Sequence, residues 1–217
     1  MTLRARLQEF WRSSNRVPAS EHGRWVVIDT ETTGLDLARD RLLSIGAVAV
    51  DDIGIVANDS FEVVLRSEGI GDVENIAIHG VGHAAQRAGM PATDALAACI
   101  HFIGEAPCIA YHADFDRVML ERAARANNIE LPPWHWLDLD PLAAALYPER
   151  NRGRASSLDD WLQLFGIGIA SRHNAAGDAY ATAELLLRLR AIAALQGVTG
   201  FGSLTQLAPA RRWLGAV

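Results

Sequence analysis

A short apolar run at residues 25–28 ends directly at two acidic residues, Asp29 and Glu31. An unbroken apolar run is typical of a strand that is buried on both faces in the middle of a sheet. Side chains two positions apart on a strand point to the same side, so Asp29 and Glu31 should lie together. The run therefore predicts a central strand that carries a pair of carboxylates to one edge of the sheet.

Two more strand candidates follow closely in the sequence. They are Leu42–Val50 and residues 61–65, and the Asp-Asp-Ile-Gly sequence at residues 51–54 is typical of a turn between them. Because the three strands are so near one another in sequence, they pair most simply as an antiparallel meander.

Strands and helices alternate farther along the chain. Strand candidates at residues 108–111 and 136–137 are each followed by a helical pattern. We expect helices at residues 93–103, 115–127, 141–147, 157–165 and 178–195. Thr93 is the expected N-cap of the first of these, and Gly104 lies just beyond its end. This order predicts an α/β fold with a mixed sheet flanked by helices.

Charge is distributed unevenly along the 217 residues, whose formal net charge is −6. Residues 1–24 have a balance of +3 and residues 188–217 one of +4, which leaves −13 for the segment between them. We divide the chain into a basic helical extension at residues 1–23, one α/β domain at 24–198 and a C-terminal tail at 199–217. Net acidity argues against a nucleic-acid partner. The basic ends are explained either as solubilising charge or as arms that attract a strand.

Cysteine content and hydropathy indicate the cellular compartment in which the protein works. Cys99 and Cys108 are too few for a disulfide framework and lack metal-ligand spacing, which favours a reducing cytoplasm. No apolar run approaches the roughly 20 residues of a membrane-spanning helix. We therefore expect a cytoplasmic protein without a membrane partner.

The paired acids at the end of the first strand suggest a metal site. Two carboxylates on one face repel each other unless a cation lies between them. Hard oxygen ligands of this kind suit Mg²⁺ or Mn²⁺. The alternative is that Asp29 and Glu31 are solvated acids at a strand end that leads into a Thr-Gly turn. The pair alone leaves both interpretations open.

Two more acids lie where helices are expected to begin. Asp116 falls in the first turn of the helix after the strand at residues 108–111, and Asp178 opens an almost wholly apolar helix. A helix that is apolar on all sides must be buried, which would hold Asp178 firmly against the sheet. Both also have ordinary structural explanations, the helix dipole for Asp116 and an N-cap for Asp178.

Several motifs stand in a fixed order along residues 24–195. They are D-T-E-T-T-G-L at 29–35, I-H-G-V at 78–81, F-D at 115–116, Leu158 with F-G-I at 165–167, and R-H-N-A-A-G-D-A at 172–179. The ordered set resembles the DEDD family of 3′→5′ exonucleases, which includes DnaQ-like proteins. The tyrosine branch of that family places its tyrosine where Asn174 stands here. A histidine occupies the preceding position, so the chain resembles the histidine (DEDDh) branch.

The resemblance implies a ribonuclease H-like fold, with a five-stranded mixed sheet flanked by helices. It makes four acids the metal ligands and one histidine the general base, namely Asp29, Glu31, Asp116, Asp178 and His173. Two Mg²⁺ ions per site are implied, for which Mn²⁺ can substitute. In this hypothesis Asp29 bridges the ions, Glu31 and Asp178 hold the ion on the side of the attacking water, and Asp116 completes the set partly through water.

The resemblance also implies that the loop after the first strand holds the 3′-terminal nucleotide. The predicted substrate-binding residues are Thr30, Thr32, Gly34, Leu35, His79, His112 and Phe115. Leu35 would wedge against the last base, whereas His79 and Phe115 are also explained as structural residues. The chain departs from the family at His112, where asparagine is common. This histidine either replaces the usual substrate contact or caps the strand end.

The activity implied by the resemblance is a metal-dependent 3′→5′ exonuclease. It would act on single-stranded DNA in preference to RNA and release nucleoside monophosphates, in DNA repair or in proofreading with a DNA polymerase partner. One alternative is an RNA-directed exoribonuclease of the same family. The other is a catalytically silent polymerase accessory that binds nucleic acid, and the presence of all four acids and His173 counts against it. Arg150, Arg152 and Arg154 either contact phosphates or form a solvated loop.

Overall fold

The computed structural model describes residues 23–67, 81–150, 156–168 and 174–208. The strands in this part are β1 Trp25–Thr32, β2 Leu42–Val50, β3 Ile55–Val64, β4 Cys108–Ala110 and β5 Trp136–Asp138. The helices are α1 His83–Ala88, α2 Ala92–Ile103, α3 Ala113–Ala126, α4 Leu139–Leu146, α5 Leu158–Phe165, α6 Ala175–Leu195 and α7 Phe201–Leu207. Residues 1–22 of the predicted extension and residues 209–217 of the predicted tail lie outside the described residues.

The strands form one mixed sheet in the order β3-β2-β1-β4-β5. β1 pairs antiparallel with β2, and β2 with β3, as expected for a meander. β4 runs parallel to β1, and β5 runs parallel to β4. The predicted mixed sheet is therefore confirmed. β1 lies at its centre, and the carboxyl ends of β1, β4 and β5 meet at the same edge.

Helices cover both faces of this sheet, since its central strand is buried on both sides. Trp25 and Val27 of β1 pack into a core with side chains from α4, α5, α6 and α7. Val26 and Ile28 point the other way and pack with side chains from α2 and α3. The apolar run at residues 25–28 is thus the buried central strand that the sequence predicts.

Helix α6 is the longest helix in the described residues, with 21 residues. Its apolar sequence predicts burial, and this is confirmed because Ala179, Leu185 and Leu186 are 0% exposed. The helix packs against β1 and β2 and so fixes the position of its first turn. Among the described helices, α6 included, none combines the length and the apolar character that crossing a bilayer requires.

The five predicted helices begin one to three residues away from their predicted starts, and the caps explain two of these differences. Thr93 is not an N-cap, because α2 begins one residue earlier and Pro91 occupies the cap position with φ −50°. Proline is common at helix starts, where its fixed φ suits the first turn and its missing N–H costs nothing. Helix α4 begins two residues before Pro141, because the side chain of Asp138 caps it by accepting a hydrogen bond from the backbone N–H of Asp140.

Helix α7 was not predicted, and it falls within the residues assigned to the tail. Phe201 and Leu204 are buried, and the ring of Phe201 lies 5.8 Å from that of Trp25 in an edge-to-face contact. The packed part of the chain therefore continues past residue 198. A helix this short is stabilised mainly by tertiary packing, which a local sequence pattern does not reveal.

Candidate active site

Three carboxylates converge at the end of β1. Asp29 and Glu31 from β1 and Asp178 from the first turn of α6 each place an oxygen within 4.8 Å of the others. The two β1 acids share the side of the strand that faces α6, as their spacing predicts. Asp178 is buried, whereas Asp29 and Glu31 are half-buried. The cluster is thus fixed by a buried helix on one side and remains accessible on the other.

Gly46 permits α6 to approach the sheet closely enough to form this cluster. It lies opposite Asp29 in the β1–β2 ladder, and a Cβ there would come within 2.1 Å of the carbonyl carbon of Ala175. No side chain fits into that space. The side-chain amide of Asn174 ties the same end of α6 to β3 by donating to Glu62 Oε1 at 2.8 Å. Glu62 of β3 pairs with Gly46 of β2, which in turn pairs with Asp29 of β1. Residues at one level of three neighbouring strands therefore position the start of the helix.

Asn174, and not Asp178, is the N-cap of α6. Its Oδ1 accepts a hydrogen bond from the backbone N–H of Gly177 at 2.8 Å. The N-cap role that the sequence allowed for Asp178 is therefore wrong. Asp178 instead lies within the first turn, where the helix dipole favours a negative charge, and its carboxylate reaches the cluster.

Asp116 approaches the same edge from the opposite face of the sheet. It lies in the first turn of α3, is buried, and accepts a hydrogen bond from Thr30 Oγ1 at 2.7 Å. Thr30 stands between Asp29 and Glu31 in β1 and so points away from them. The structure thus brings three of the four predicted metal ligands together, and it places Asp116 at the same edge of the sheet, bonded to the strand residue between two of them. The hydroxyl of Thr30, a predicted substrate-binding residue, holds Asp116 in this arrangement.

Burial raises the pKa of Asp116 from 3.8 to about 7, against the opposing effect of the hydrogen bond from Thr30. Between those pH values the folded protein retains a proton that the unfolded chain releases. The free energy of unfolding of the metal-free protein should therefore fall as the pH rises through this window, by on the order of 2 to 4 kcal/mol. Asp116→Asn should remove most of this dependence. Urea unfolding in chelator at about pH 5 and about pH 8 measures it.

Asp94→Asn is the matched control for that measurement, because Asp94 is an exposed acid in the first turn of α2. It should leave the pH dependence as it is in the wild type. Equal dependence in wild type and Asp116→Asn would contradict the assignment of the buried proton to Asp116.

The loop between β1 and β2, residues 33–41, is braced by two side chains. The carboxylate of Asp40 accepts hydrogen bonds from Thr33 Oγ1 and from a backbone N–H of the loop, both at 2.7 Å. Arg122 of α3 donates to the carbonyl oxygens of Ala38 and Asp40, both at 2.9 Å. These contacts tie the loop both to itself and to the helix that carries Asp116.

Three predicted substrate-binding residues lie together at the start of this loop. Thr32 is buried and donates through Oγ1 to the carbonyl oxygen of Gly34 at 2.6 Å. A Cβ on Gly34 would lie 2.6 Å from Asp40 Oδ2, so a side chain at this position would displace the carboxylate that braces the loop. Leu35 follows and is 82% exposed. The braced loop therefore presents a large apolar side chain to solvent next to the acidic cluster.

His112 begins α3 with a left-handed backbone, φ 62° and ψ 49°. Histidine is among the residues that adopt this conformation more often than most. Asp138 Oδ1 accepts a hydrogen bond from the backbone N–H of His112 at 3.0 Å, and the imidazole Nε2 lies 3.9 Å from Asp140 Oδ2. The ring also contacts Tyr111, with centroids 4.6 Å apart. His112 thus stands partly exposed at the carboxyl end of β4, the edge to which Asp29 and Glu31 belong.

Of the remaining predicted residues, one packs, Arg150 is exposed at the surface, and several lie outside the described part of the chain. Phe115 is half-buried and packs against the core beneath α2 and α3, as its structural alternative anticipated. His173, His79, Arg152 and Arg154 lie outside the described residues. Their roles stay predictions.

Sequence reasoning missed four residues that shape the site, namely Gly46, Asp40, Arg122 and Asp138. Gly46 and Arg122 act through contacts between elements far apart in sequence, whereas Asp40 braces its own loop, and no local pattern marks any of the three. Asp138 could have been found. With Asp140 it repeats, at the end of β5, the spacing of the two acids at the end of β1.

Comparison with known proteins decides the family. The family model described as exonuclease, RNase_T, matches residues 26–186. The chain belongs to this exonuclease family. Membership confirms the resemblance to DnaQ-like exonucleases and the predicted class of enzyme, an exonuclease hydrolase.

The matched relatives are much longer proteins, and this chain corresponds to a part of each. An epsilon-like protein of DNA polymerase III from Rhodobacter capsulatus is 32% identical over 185 residues, which is 82% of this chain and 25% of the relative. A PolC-type DNA polymerase III from Bacillus subtilis is 28% identical over 179 residues, 82% of this chain and 12% of the relative. The chain thus spans a quarter or less of the length of these relatives.

Solved exonuclease structures share the fold. Exonuclease X in complex with 5′ overhanging duplex DNA has a TM-score of 0.63 and 25% identity, over 85% of this chain and 99% of that one. E. coli exonuclease I in complex with a dT13 oligonucleotide has a TM-score of 0.68 and 20% identity, over 81% of this chain and 42% of that one. The predicted ribonuclease H-like fold is confirmed.

Proposed function

We propose that this protein is a metal-dependent exonuclease that removes nucleoside monophosphates from the 3′ ends of single-stranded DNA. The observation that carries the proposal is the convergence of Asp29, Glu31 and Asp178 within 4.8 Å, beside buried Asp116. Such a constellation would hold a divalent cation that assists the attack of water on a phosphodiester. Exonuclease I and exonuclease X have both been solved with DNA, which supports DNA as the polymer.

The donor atoms of the cluster fit Mg²⁺, with Mn²⁺ as a substitute. All of them are carboxylate oxygens, the hard ligands that these ions prefer. Asp29, Glu31 and Asp178 would hold the metal, and Asp116 would complete the set partly through water. Bound there, a pair of such ions would lower the pKa of the attacking water and neutralise charge on the attacking and leaving oxygens.

The braced loop at residues 33–41 would hold the last nucleotide. Its backbone is fixed by Asp40 and Arg122 before any substrate arrives, so little ordering is needed on binding. Leu35, which is 82% exposed, would pack against the last base. Partly exposed His112 would contact the strand in place of the asparagine that is common in the family.

His173 would act as the general base that takes the proton of the attacking water. His173→Ala should therefore slow hydrolysis by about 10² to 10⁴-fold, because the proton transfer loses its acceptor. Metal binding and strand binding should change little, since the carboxylates remain. Single-turnover hydrolysis, together with Mn²⁺ binding by calorimetry, separates these effects.

His101→Ala is the control for that substitution, because His101 is an exposed histidine on α2. It should hydrolyse DNA at the wild-type rate. A fully active His173→Ala variant would remove this histidine from the mechanism.

Digestion of matched oligonucleotides tests the proposed activity and substrate together. Single-stranded DNA and RNA of the same sequence, labelled at the 5′ end, are incubated with Mg²⁺, Mn²⁺ or chelator. We expect a metal-dependent ladder that shortens from the 3′ end and forms faster on DNA. Faster digestion of RNA would favour the exoribonuclease alternative, and no metal-dependent digestion of either polymer would contradict the proposal.

The polymerase relatives support a role in proofreading or DNA repair with a DNA polymerase partner. Cys99 and Cys108 are free and buried, which agrees with a reducing cytoplasm as the compartment.

A further inference from the structure

His112 is the position at which this chain departs from its family, where asparagine is common. It follows β4, whose Ile109 pairs in parallel with Val27 of β1. Asp29 lies two residues beyond Val27, and His112 lies three residues beyond Ile109. Neighbouring strands of a sheet lie about 5 Å apart. His112 therefore leaves the sheet beside the strand end that carries the acidic cluster.

The imidazole of His112 lies on the side of the sheet that the cluster occupies. Its ring contacts the ring of Tyr111, with centroids 4.6 Å apart. Tyr111 packs against the core that includes Val27, on the side of the sheet that α6 covers. Asp29 and Glu31 share that side, because they continue the period of two from Val27. The side chain of His112 is 38% exposed, so a strand bound at the cluster would pass an accessible imidazole.

Two carboxylates and one hydroxyl hold this histidine in place. Asp138 Oδ1 accepts a hydrogen bond from the backbone N–H of His112 at 3.0 Å, which fixes the backbone beneath the ring. Asp140 Oδ2 lies 3.9 Å from His112 Nε2. The hydroxyl of Tyr111 donates to Asp140 Oδ1 at 3.3 Å and so orients that carboxylate. When the ring takes up a proton, Asp140 is therefore a counter-ion that is already in position.

The titratable groups that the structure places against the imidazole come from β5, α4 and the end of β4. They are Asp138, Asp140 and Tyr111. Burial raises the pKa of Tyr111 above its usual value, so its hydroxyl stays neutral through the neutral pH range. Burial also raises the pKa of Asp138, which in turn acts on Asp116 of α3. Of these groups, Asp140 is the one whose carboxylate faces a ring nitrogen.

We propose that His112, in its protonated form, binds a phosphate of the strand whose 3′ end lies at the cluster, so that strand affinity rises as the pH falls. Asparagine donates a hydrogen bond at every pH, whereas imidazole gains a positive charge only when it takes up a proton. The protonated ring has a donor on each nitrogen, so it can donate to Asp140 and to a phosphate together. This inference rests on the proposed function, because it takes the 3′ end to lie at the cluster.

Strand affinity measured across the range in which imidazole titrates tests this contact. The full-length chain with Asp178→Asn, which prevents digestion, is the parent, and its Kd for single-stranded DNA is compared with that of parent plus His112→Asn. We expect the parent to bind about tenfold more tightly at about pH 6, and about equally at about pH 8.5, since only the charged ring adds a strong phosphate contact. The ratio of the two Kd values at each pH cancels the titration of groups that both proteins share, Asp116 among them.

An NMR titration gives a second readout that a purely structural role would not produce. If the protonated ring binds the strand about tenfold more tightly, DNA must move the midpoint of the His112 titration to higher pH by about one pH unit. The imidazole signal of His112 is assigned by its absence from the spectrum of His112→Asn. Its midpoint is then measured in the parent with and without DNA.

His101→Asn is the matched control, because His101 is an exposed histidine in the last turn of α2. It should leave the strand affinity of the parent unchanged at each pH. A Kd ratio that stays constant with pH, or a His112 signal that titrates alike with and without DNA, would overturn the inference. If wild-type protein digests 3′ ends while His112→Asn binds as the parent does at every pH, only this inference fails. If wild type neither digests nor binds single-stranded DNA, the proposed function fails with it.

Discussion

Replacing Asp178 with asparagine should lower the rate of metal-dependent hydrolysis by about a thousandfold or more, equivalent to at least about 4 kcal/mol. Asp178 supplies one of the three clustered carboxylates, and it does so from a buried turn that no neighbouring side chain can replace. Asparagine keeps the shape of the side chain but not its charge. The effect should therefore come from metal binding and not from a change of fold.

A thermal-shift measurement beside the activity assay separates these causes. A ligand that binds only the folded state raises its stability by RT ln(1 + [L]/Kd). Mg²⁺ should thus raise the Tm of the wild type and of Asp94→Asn, a control acid in the first turn of α2. Asp178→Asn should show little rise. An Asp178→Asn variant that hydrolyses DNA within about tenfold of the wild-type rate would contradict the role given to this carboxylate.

Gly46→Ala should lower both stability and activity, although Gly46 carries no functional group. The new Cβ would lie 2.1 Å from the carbonyl carbon of Ala175 and 2.2 Å from the amide nitrogen of Ala176. Both are backbone atoms, so the first turn of α6 has to move away from the sheet. We expect a loss of about 3 kcal/mol in the free energy of unfolding. Because Asp178 moves with the turn, we also expect a loss of about 10² in activity.

The control for this substitution is Gly82→Ala. Gly82 has an ordinary φ of −64°, and a Cβ on it meets no atom of the described residues within 4 Å. Its unfolding in urea and its kcat should match those of the wild type. If Gly46→Ala proves too unstable to assay at room temperature, single-turnover hydrolysis in the cold still reports the displaced carboxylate. Wild-type stability and rate in Gly46→Ala would show that α6 does not depend on this close contact.

Local sequence patterns predicted the parts of the fold that local physics determines. The apolar run at residues 25–28 predicted the central strand, and the period of two along it placed Asp29 and Glu31 on one side. The apolar character of α6 predicted its burial. What the pattern did not predict was where α6 begins, because the cap is Asn174, whose side chain also reaches Glu62 on β3.

Contacts between distant elements account for what the sequence left out. The acids of the motifs gave no indication that Asp116 approaches from the other face of the sheet, held by Thr30. Gly46 and Arg122 are unremarkable in sequence and matter only because a helix and a loop come to lie against them. Net charge was misleading in a similar way. The net negative charge argued against a nucleic-acid partner. Part of that charge belongs to the carboxylates that are proposed to bind the metal with which the protein cuts nucleic acid.

Anomalous scattering from crystals grown with Mn²⁺ locates the metal site of the protein directly. We predict an anomalous peak between Asp29, Glu31 and Asp178, within about 2.2 Å of their carboxylate oxygens. The same crystals of Asp178→Asn should show a weaker peak or none. Mn²⁺ bound only elsewhere on the protein, or no peak at the three carboxylates in the wild type, would contradict the assignment of this cluster as the metal centre.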